Sequence, residues 1–154
     1  MGLEYLKMKI FLKKAKELDS ISIFQLKTSR EVVRTSINKK KIKFSDHKKW
    51  FRKKINNKNC LFYTIREKNN LFVGYLRLDF ENFYYRVTIA VMKNKSGKSY
   101  AFKALKKIEK IIKKNSLLFA QVLRSNKRSI RLFTKAGYKK TGYRNKVKFF
   151  TKLI

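Results

Sequence analysis

The sequence predicts an α/β (α+β) fold: a mixed, mainly antiparallel central sheet of about seven strands, flanked by helices. Three observations lead there. Three β-rich runs follow one another across short polar turns, CLFYTIRE (60–67), LFVGYLRLDF (71–80) and YRVTIAV (85–91), the pattern of an antiparallel meander. A helix-like run, YAFKALKKIEKIIKK (100–114), then leads to LLFAQVL (117–123), a short apolar run of buried-strand type. No Pro/Gly/Ser-rich linker and no internal repeat interrupts the 154 residues, so one domain over 1–154 is expected.

The remaining elements fall in order around this centre. YLKMKIFLK (5–13) alternates enough for a first strand. Asp19 or Ser20 can cap a short helix over ISIFQLKT (21–28), ending near Arg30. REVVRTSINKKKIK (30–43) follows neither the strand nor the helix period. Ser45 reads as an N-cap, and DHKKWFRKKI (46–55) presents Trp50, Phe51 and Ile55 to a core. Late in the chain, NKRSIRLFTKAG (126–137) has Ile130, Leu132 and Phe133 at helical spacing, with Gly137 as C-cap. YKKTGY (138–143) and KVKFFTKLI (146–154) close the chain as two strands.

Charge sets the next constraint. The chain has 42 Lys plus Arg against 9 Asp plus Glu, a formal net charge of +33. Such a balance fits a phosphate-rich partner, nucleic acid above all, or simply a solvated lysine surface. The lysines are scattered from Lys7 to Lys152 without forming one block, so nucleic acid is not expected as the main partner. A positive field still steers small anions inward. Hydrophobic residues at 44% are enough for a packed core. The lone Cys60 sits in a strand-like run and excludes a disulfide framework; it reads as a buried small hydrophobe. No apolar run approaches the roughly 18–20 residues that span a membrane, and MGLEYLKMKIFLKK has no signal-peptide pattern, so a cytoplasmic location is expected.

MKNKSGKS (92–99), between a strand-like and a helix-like run, nearly spells a P-loop. A true P-loop needs a glycine where Met92 stands, and a later strand ending in a magnesium-binding Asp, which does not follow. No metal is expected. The same physics serves another ligand: a turn at a helix N-terminus offers backbone N–H groups and the positive dipole end to a pyrophosphate.

Ser96-Gly97-Lys98-Ser99-Tyr100-Ala101 resembles the Q/R-x-x-G-x-G/A signature of the GNAT acyl-CoA N-acyltransferases, with Ser96 at the Arg/Gln position and Ser99 at a glycine position. Asn126-Lys127-Arg128-Ser129-Ile130-Arg131-Leu132-Phe133-Thr134-Lys135-Ala136-Gly137-Tyr138 resembles the family's N-x-x-S/A-I-x-L-Y/F-x-K-x-G-F/Y segment. In the first half, Arg30, Val33, Arg34, Ser36, Ile42, His47, Trp50 and Phe51, with VGYLRLD (73–79), are similar to acetyltransferases of nucleotide-linked amino sugars in pseudaminic-acid and surface-polysaccharide biosynthesis. The likeness spans about residues 8–143.

The resemblance implies a GNAT fold and acetyl-CoA as co-substrate. Val91, Ser96, Gly97, Lys98, Ser99, Tyr100, Ala101, Asn126 and Phe133 are then the expected acetyl-CoA contacts. Backbone N–H groups around Ala90–Met92 would hold the tetrahedral oxyanion. Arg30, Arg34, His47 and Arg77 are the expected acceptor-binding side chains, for an anionic amine such as a UDP-amino sugar. Asp79 is the first expected base, followed by Glu81 and His47. Phe133 stands where many relatives carry the acid Tyr, so either the thiolate leaves unaided or Tyr138 or Tyr143 serves as acid. Three rivals stay open: a protein N-terminal acetyltransferase, a basic RNA-binding module and a catalytically inactive scaffold. A homodimer is also left open.

Overall fold

In the computed structural model, which describes residues 8–154, the strands are β1 (Phe11–Lys14), β2 (Cys60–Arg66), β3 (Phe72–Glu81), β4 (Tyr84–Val91), β5 (Leu117–Leu123), β6 (Lys139–Arg144) and β7 (Val147–Leu153). They form one seven-stranded sheet in the order β1-β2-β3-β4-β5-β7-β6. Every neighbouring pair is antiparallel except β4–β5, which is parallel. The helices are α1 (Ser20–Lys27), α2 (Arg30–Thr35), α3 (Phe44–Ile55), α4 (Tyr100–Glu109) and α5 (Lys127–Lys135), with 3-10 turns at Glu17–Asp19, Lys68–Asn70 and Lys93–Lys95.

Two cores lie on the two faces of the sheet. Along α4, Tyr100, Ala104, Leu105 and Ile108 recur at helical spacing and are all buried, because they pack on Ile65, Val73, Leu76, Leu78 and Val87. Phe133 of α5 joins this core beside Leu118, Ala120 and Phe150. On the other face, Ile23 and Leu26 of α1 and Phe51 of α3 cover Cys60, Phe62 and Tyr75. Cys60 is a free, buried thiol whose pKa burial pushes up to about 11, in keeping with an inert packing role.

Three elements differ from the sequence reading. The expected first strand over 5–13 is observed at Phe11–Lys14, and residues 1–7 lie outside the described part. The ambiguous stretch after Arg30 forms the short α2, whose residues are all at least half-buried or exposed, so no buried stripe marks it in the sequence. The third helix begins at Phe44, with extended Lys43 as N-cap, two positions ahead of the Ser45 cap expected. Gly137 does terminate α5. Its φ is +88°, and Tyr138 N donates to Phe133 O (2.9 Å) while Gly137 N donates to Thr134 O (3.0 Å), a complete Schellman motif.

Candidate active site

The parallel β4–β5 pairing lasts for three residues only: Tyr84 faces Leu117, Tyr85 faces Leu118 and Arg86 faces Phe119. Beyond Arg86 the two strands part, while β4 stays paired to β3 as far as Val91–Gly74 and β5 stays paired to β7. Met92 N donates to Val73 O at 2.8 Å, so alternation turns the N–H groups of Val91 and Ile89 toward the open side. The sheet therefore carries a wedge lined by unmatched main-chain donors.

Gly74 sets the shape of this wedge. A side chain there would place its Cβ 2.3 Å from Ala90 O, so only glycine lets β3 approach β4 where β4 opens. A glycine inside a strand run was the available sequence signal, and the reading of VGYLRLD passed over it.

The loop after β4 sits at the mouth of the wedge. Gly97 has φ +79° with open space around it, and Ser99, the residue ahead of α4, is left-handed at φ +59°. Left-handed residues at a helix start turn successive N–H groups outward, an anion-binding concavity aligned with the helix dipole. The backbone of Ser99 explains why a glycine suits its position. Ala101 follows in the first turn of α4, and Lys98 is partly buried beside the loop.

Two contacts that the sequence did not disclose hold this loop. Glu67, 7% exposed at the end of β2, accepts from Tyr100 Oη at 2.5 Å and pairs with Lys95 Nζ. These hydrogen bonds, from Lys95 first, hold its carboxyl below the usual carboxylate range. Arg128, in the first turn of α5, donates from Nη1 to Ser96 Oγ at 2.9 Å, placing a guanidinium at the loop although position 96 has none. Asn126 caps α5, its Oδ1 accepting from Ser129 N at 3.1 Å. No local pattern announces either long-range tie.

The three expected catalytic side chains are not brought together, and their surroundings correct the roles assigned to them. His47 is 1% exposed and lies among the rings of Phe24, Phe44, Trp50 and Phe51. Its Nε2 donates to Ser20 O at 3.2 Å, and its buried Nδ1 has no partner among the described residues. Burial, with Lys27 nearby, lowers its pKa, and the surrounding rings give the side chain a packing role. Tyr138 is buried against Phe133, with a hydroxyl that has no partner among the described residues, and burial pushes its pKa well up, opposite to an acid's need. Phe133 itself is 4% exposed in the core on that face.

Asp79 is the third case. Burial would raise its pKa, but the Arg77 charge and the Lys54 and Arg77 hydrogen bonds outweigh it, so the carboxyl stays below its usual value. Arg77 Nε reaches Oδ2 and Lys54 Nζ reaches Oδ1, both at 2.6 Å, so both oxygens are engaged. A weakly basic, doubly held carboxylate makes a poor proton acceptor. Glu81 is likewise held, by Arg86 at 2.8 Å and Tyr84 at 3.2 Å, while Tyr143 is exposed on the outer strand β6. Arg30 and Arg34 are exposed on α2, where Arg34 pairs with Glu31 at 3.1 Å. Their helix is tied to the turn after β4 by Lys93 and Glu31 at 3.5 Å, and Arg77 lies on β3 directly across from Thr88.

Among the described residues no group of His, Cys, Asp and Glu is arranged to hold a metal, and no helix is long and apolar enough to cross a membrane. A groove of about 470 Å³ by Phe80, Phe83, Lys113 and Lys114 lies at the closed end of the β4–β5 pair, away from the loop.

Comparison with known proteins agrees with this geometry. A model of the acetyltransferase (GNAT) family matches residues 26–138. The chain belongs to that family and is an acetyl-CoA-dependent acyltransferase. No curated protein sequence matches it significantly. Among solved structures, a domain from Methanocaldococcus jannaschii DSM 2661 is 21% identical, with a TM-score of 0.80 over 96% of this chain and 100% of that one. Spermidine N-acetyltransferase from Vibrio cholerae, solved in complex with CoA and spermine, is 17% identical, with a TM-score of 0.80 over 94% of this chain and 95% of that one. At these identities the likeness is one of fold.

Proposed function

We propose that the chain moves an acetyl group from acetyl-CoA to the primary amine of a small anionic acceptor of the nucleotide-linked amino-sugar type. The observation that carries the acceptor class is the state of the carboxylates. Among the described residues every Asp and Glu except Asp46 is already in an ion pair with Lys or Arg. A polycationic amine finds exposed Asp46 as the single unmatched side-chain carboxylate among the described residues, whereas an anionic acceptor meets exposed Arg30 and partly buried Arg77 and Lys27.

The chemistry follows from the wedge. The acceptor nitrogen attacks the thioester carbon, forming the N–C bond; the C–S bond breaks, and CoA leaves as a thiolate that takes up a proton. The N–H of Val91 faces the opening where the carbonyl oxygen becomes an oxyanion. With Asp79 doubly engaged, the acceptor ammonium loses its proton to solvent, which an amine with a pKa of about 8 does readily. The loop from Ser96 to Ala101 and the start of α4 receive the pyrophosphate.

An acetyl-transfer assay against UDP-amino sugars, spermidine and short peptides tests this reading. Turnover with a UDP-amino sugar is expected; turnover with peptides or spermidine and none with UDP-amino sugars refutes it.

A further inference from the structure

One cluster on the α1–α3 face is not explained by packing alone, and its interpretation rests on the proposed acetylation of an anionic acceptor. Lys27, the last residue of α1, places its Nζ 3.7 Å from the centroid of the Trp50 ring on α3. The Arg77 guanidinium lies 5.0 Å from the same ring and 5.7 Å from Phe62. Lys54 approaches from the end of α3 and shares Asp79 with Arg77. Two of these cations, Arg77 and Lys54, share the one carboxylate of Asp79. Arg77 meets Asp79 through Nε, at 2.6 Å from Oδ2. Lys27 has no carboxylate partner among the described residues.

We infer that Lys27 and Arg77, over the face of Trp50, form the subsite for a phosphoryl group carried by the acceptor. The position suits this. Arg77 is directly opposite Thr88, which lies just past the last β4–β5 pair, so the cluster stands one strand from the wedge where the acetyl group is transferred. Burial first, and then repulsion from the like charges of Arg77 and Lys54, brings the Lys27 pKa down to about 8. A phosphoryl oxygen between Lys27 and the planar Arg77 fork relieves that repulsion beside the half-buried Trp50 ring. A polyamine meets repulsion at the same place.

Trp50 is the only tryptophan in the chain, so its emission reports on this cluster directly. The intact protein, saturated with CoA so that the loop before α4 is filled, is titrated with inorganic phosphate, UDP and spermine. Saturable emission changes are expected with phosphate and UDP, and none with spermine. Lys27→Gln is expected to weaken UDP binding by about tenfold or more, the loss of one charge-assisted hydrogen bond. Arg77→Lys, which keeps the charge and removes the fork, weakens it by a smaller factor and serves as the second variant should Lys27→Gln not fold. No saturable response to UDP, a response to phosphate alone, or unchanged UDP affinity in the folded variants overturns the inference. The two readings fail separately. A chain that binds UDP this way yet acetylates no nucleotide-linked amino sugar keeps the subsite and loses the acceptor. One that acetylates such a sugar with an unchanged KM after Lys27→Gln loses the subsite and keeps the acceptor.

Discussion

Tyr100 donates its hydroxyl to Glu67 at 2.5 Å in the interior, joining the first turn of α4 to the end of β2. Since Lys95 binds the other oxygen of the same carboxylate, one buried acid ties the 3-10 turn in the loop after β4 to the start of α4. Removing one partner of such a group leaves a buried polar atom unsatisfied, at a cost of about 1–3 kcal/mol. Tyr100→Phe is therefore expected to lower stability by that amount in urea unfolding. Glu67→Gln should in addition weaken acetyl-CoA binding in calorimetry, because it frees Lys95 and loosens the loop. Unchanged affinity in Glu67→Gln would mean that the loop holds its shape without this tie.

Gly74→Ala should be more damaging than its single methyl suggests. The new Cβ meets a backbone oxygen, Ala90 O at 2.3 Å, which cannot rotate away. Overpacking of this kind costs about 1–3 kcal/mol. Both thermal stability and acetyl-CoA affinity are expected to drop, since the displaced segment is the open stretch of β4.

Ser99 tests the loop from the opposite direction. Its left-handed backbone is unfavourable for a residue with a side chain by roughly 1 kcal/mol, so Ser99→Gly should be neutral or stabilising and should retain acetyl-CoA binding. Ser99→Val, β-branched at positive φ, should lose both. Thermal melts with and without CoA separate these outcomes.

Stability depends on pH on both sides of neutrality. Lys27 has a folded pKa of about 8 against an ordinary 10.5, so above pH 8 the unfolded chain holds a proton that the folded chain has released. Its contribution to stability therefore rises with pH between about 8 and 10.5. Cys60 opposes it from pH 9 upward, because its folded pKa is raised from 9.0 to about 11. Lys27→Met should abolish the rise between pH 8 and 9 in urea titrations. On the acid side, His47 has a lowered pKa, so stability falls as pH drops below its ordinary 6.5. His47→Phe should flatten that fall and leave acetyl transfer largely intact; loss of transfer in a folded His47→Phe would restore a substrate role to this residue.

The reading from sequence succeeded where the information was local. The meander from Cys60 to Val91 is carried by β-rich runs and polar turns, and the α5 terminus by Gly137, so both were legible as patterns. The loop at Ser96–Ala101 was legible because strand, turn and helix signals adjoin there. His47 was misjudged because a histidine near a helix start carries no mark of how many rings will close over it; the four that do come from α1 and α3. Glu67, Lys27 and Arg128 were passed over for the same reason. Each acquires its role from a partner that only the folded chain brings near: Lys95 and Tyr100, Trp50, and Ser96.

The three residue pairs that join β4 to β5 have a mechanical meaning as well as a chemical one. They divide the sheet into a four-stranded blade, β1 to β4, and a three-stranded blade, β5 to β7, that meet at one pivot as the arms of tweezers do. On the proposed mode of binding, a co-substrate between the blades would supply the bridging that the strands do not give each other. Occupancy should then slow amide exchange at Ile89, Val91 and along β5 together, so that the two arms open and close as one unit only when something is gripped.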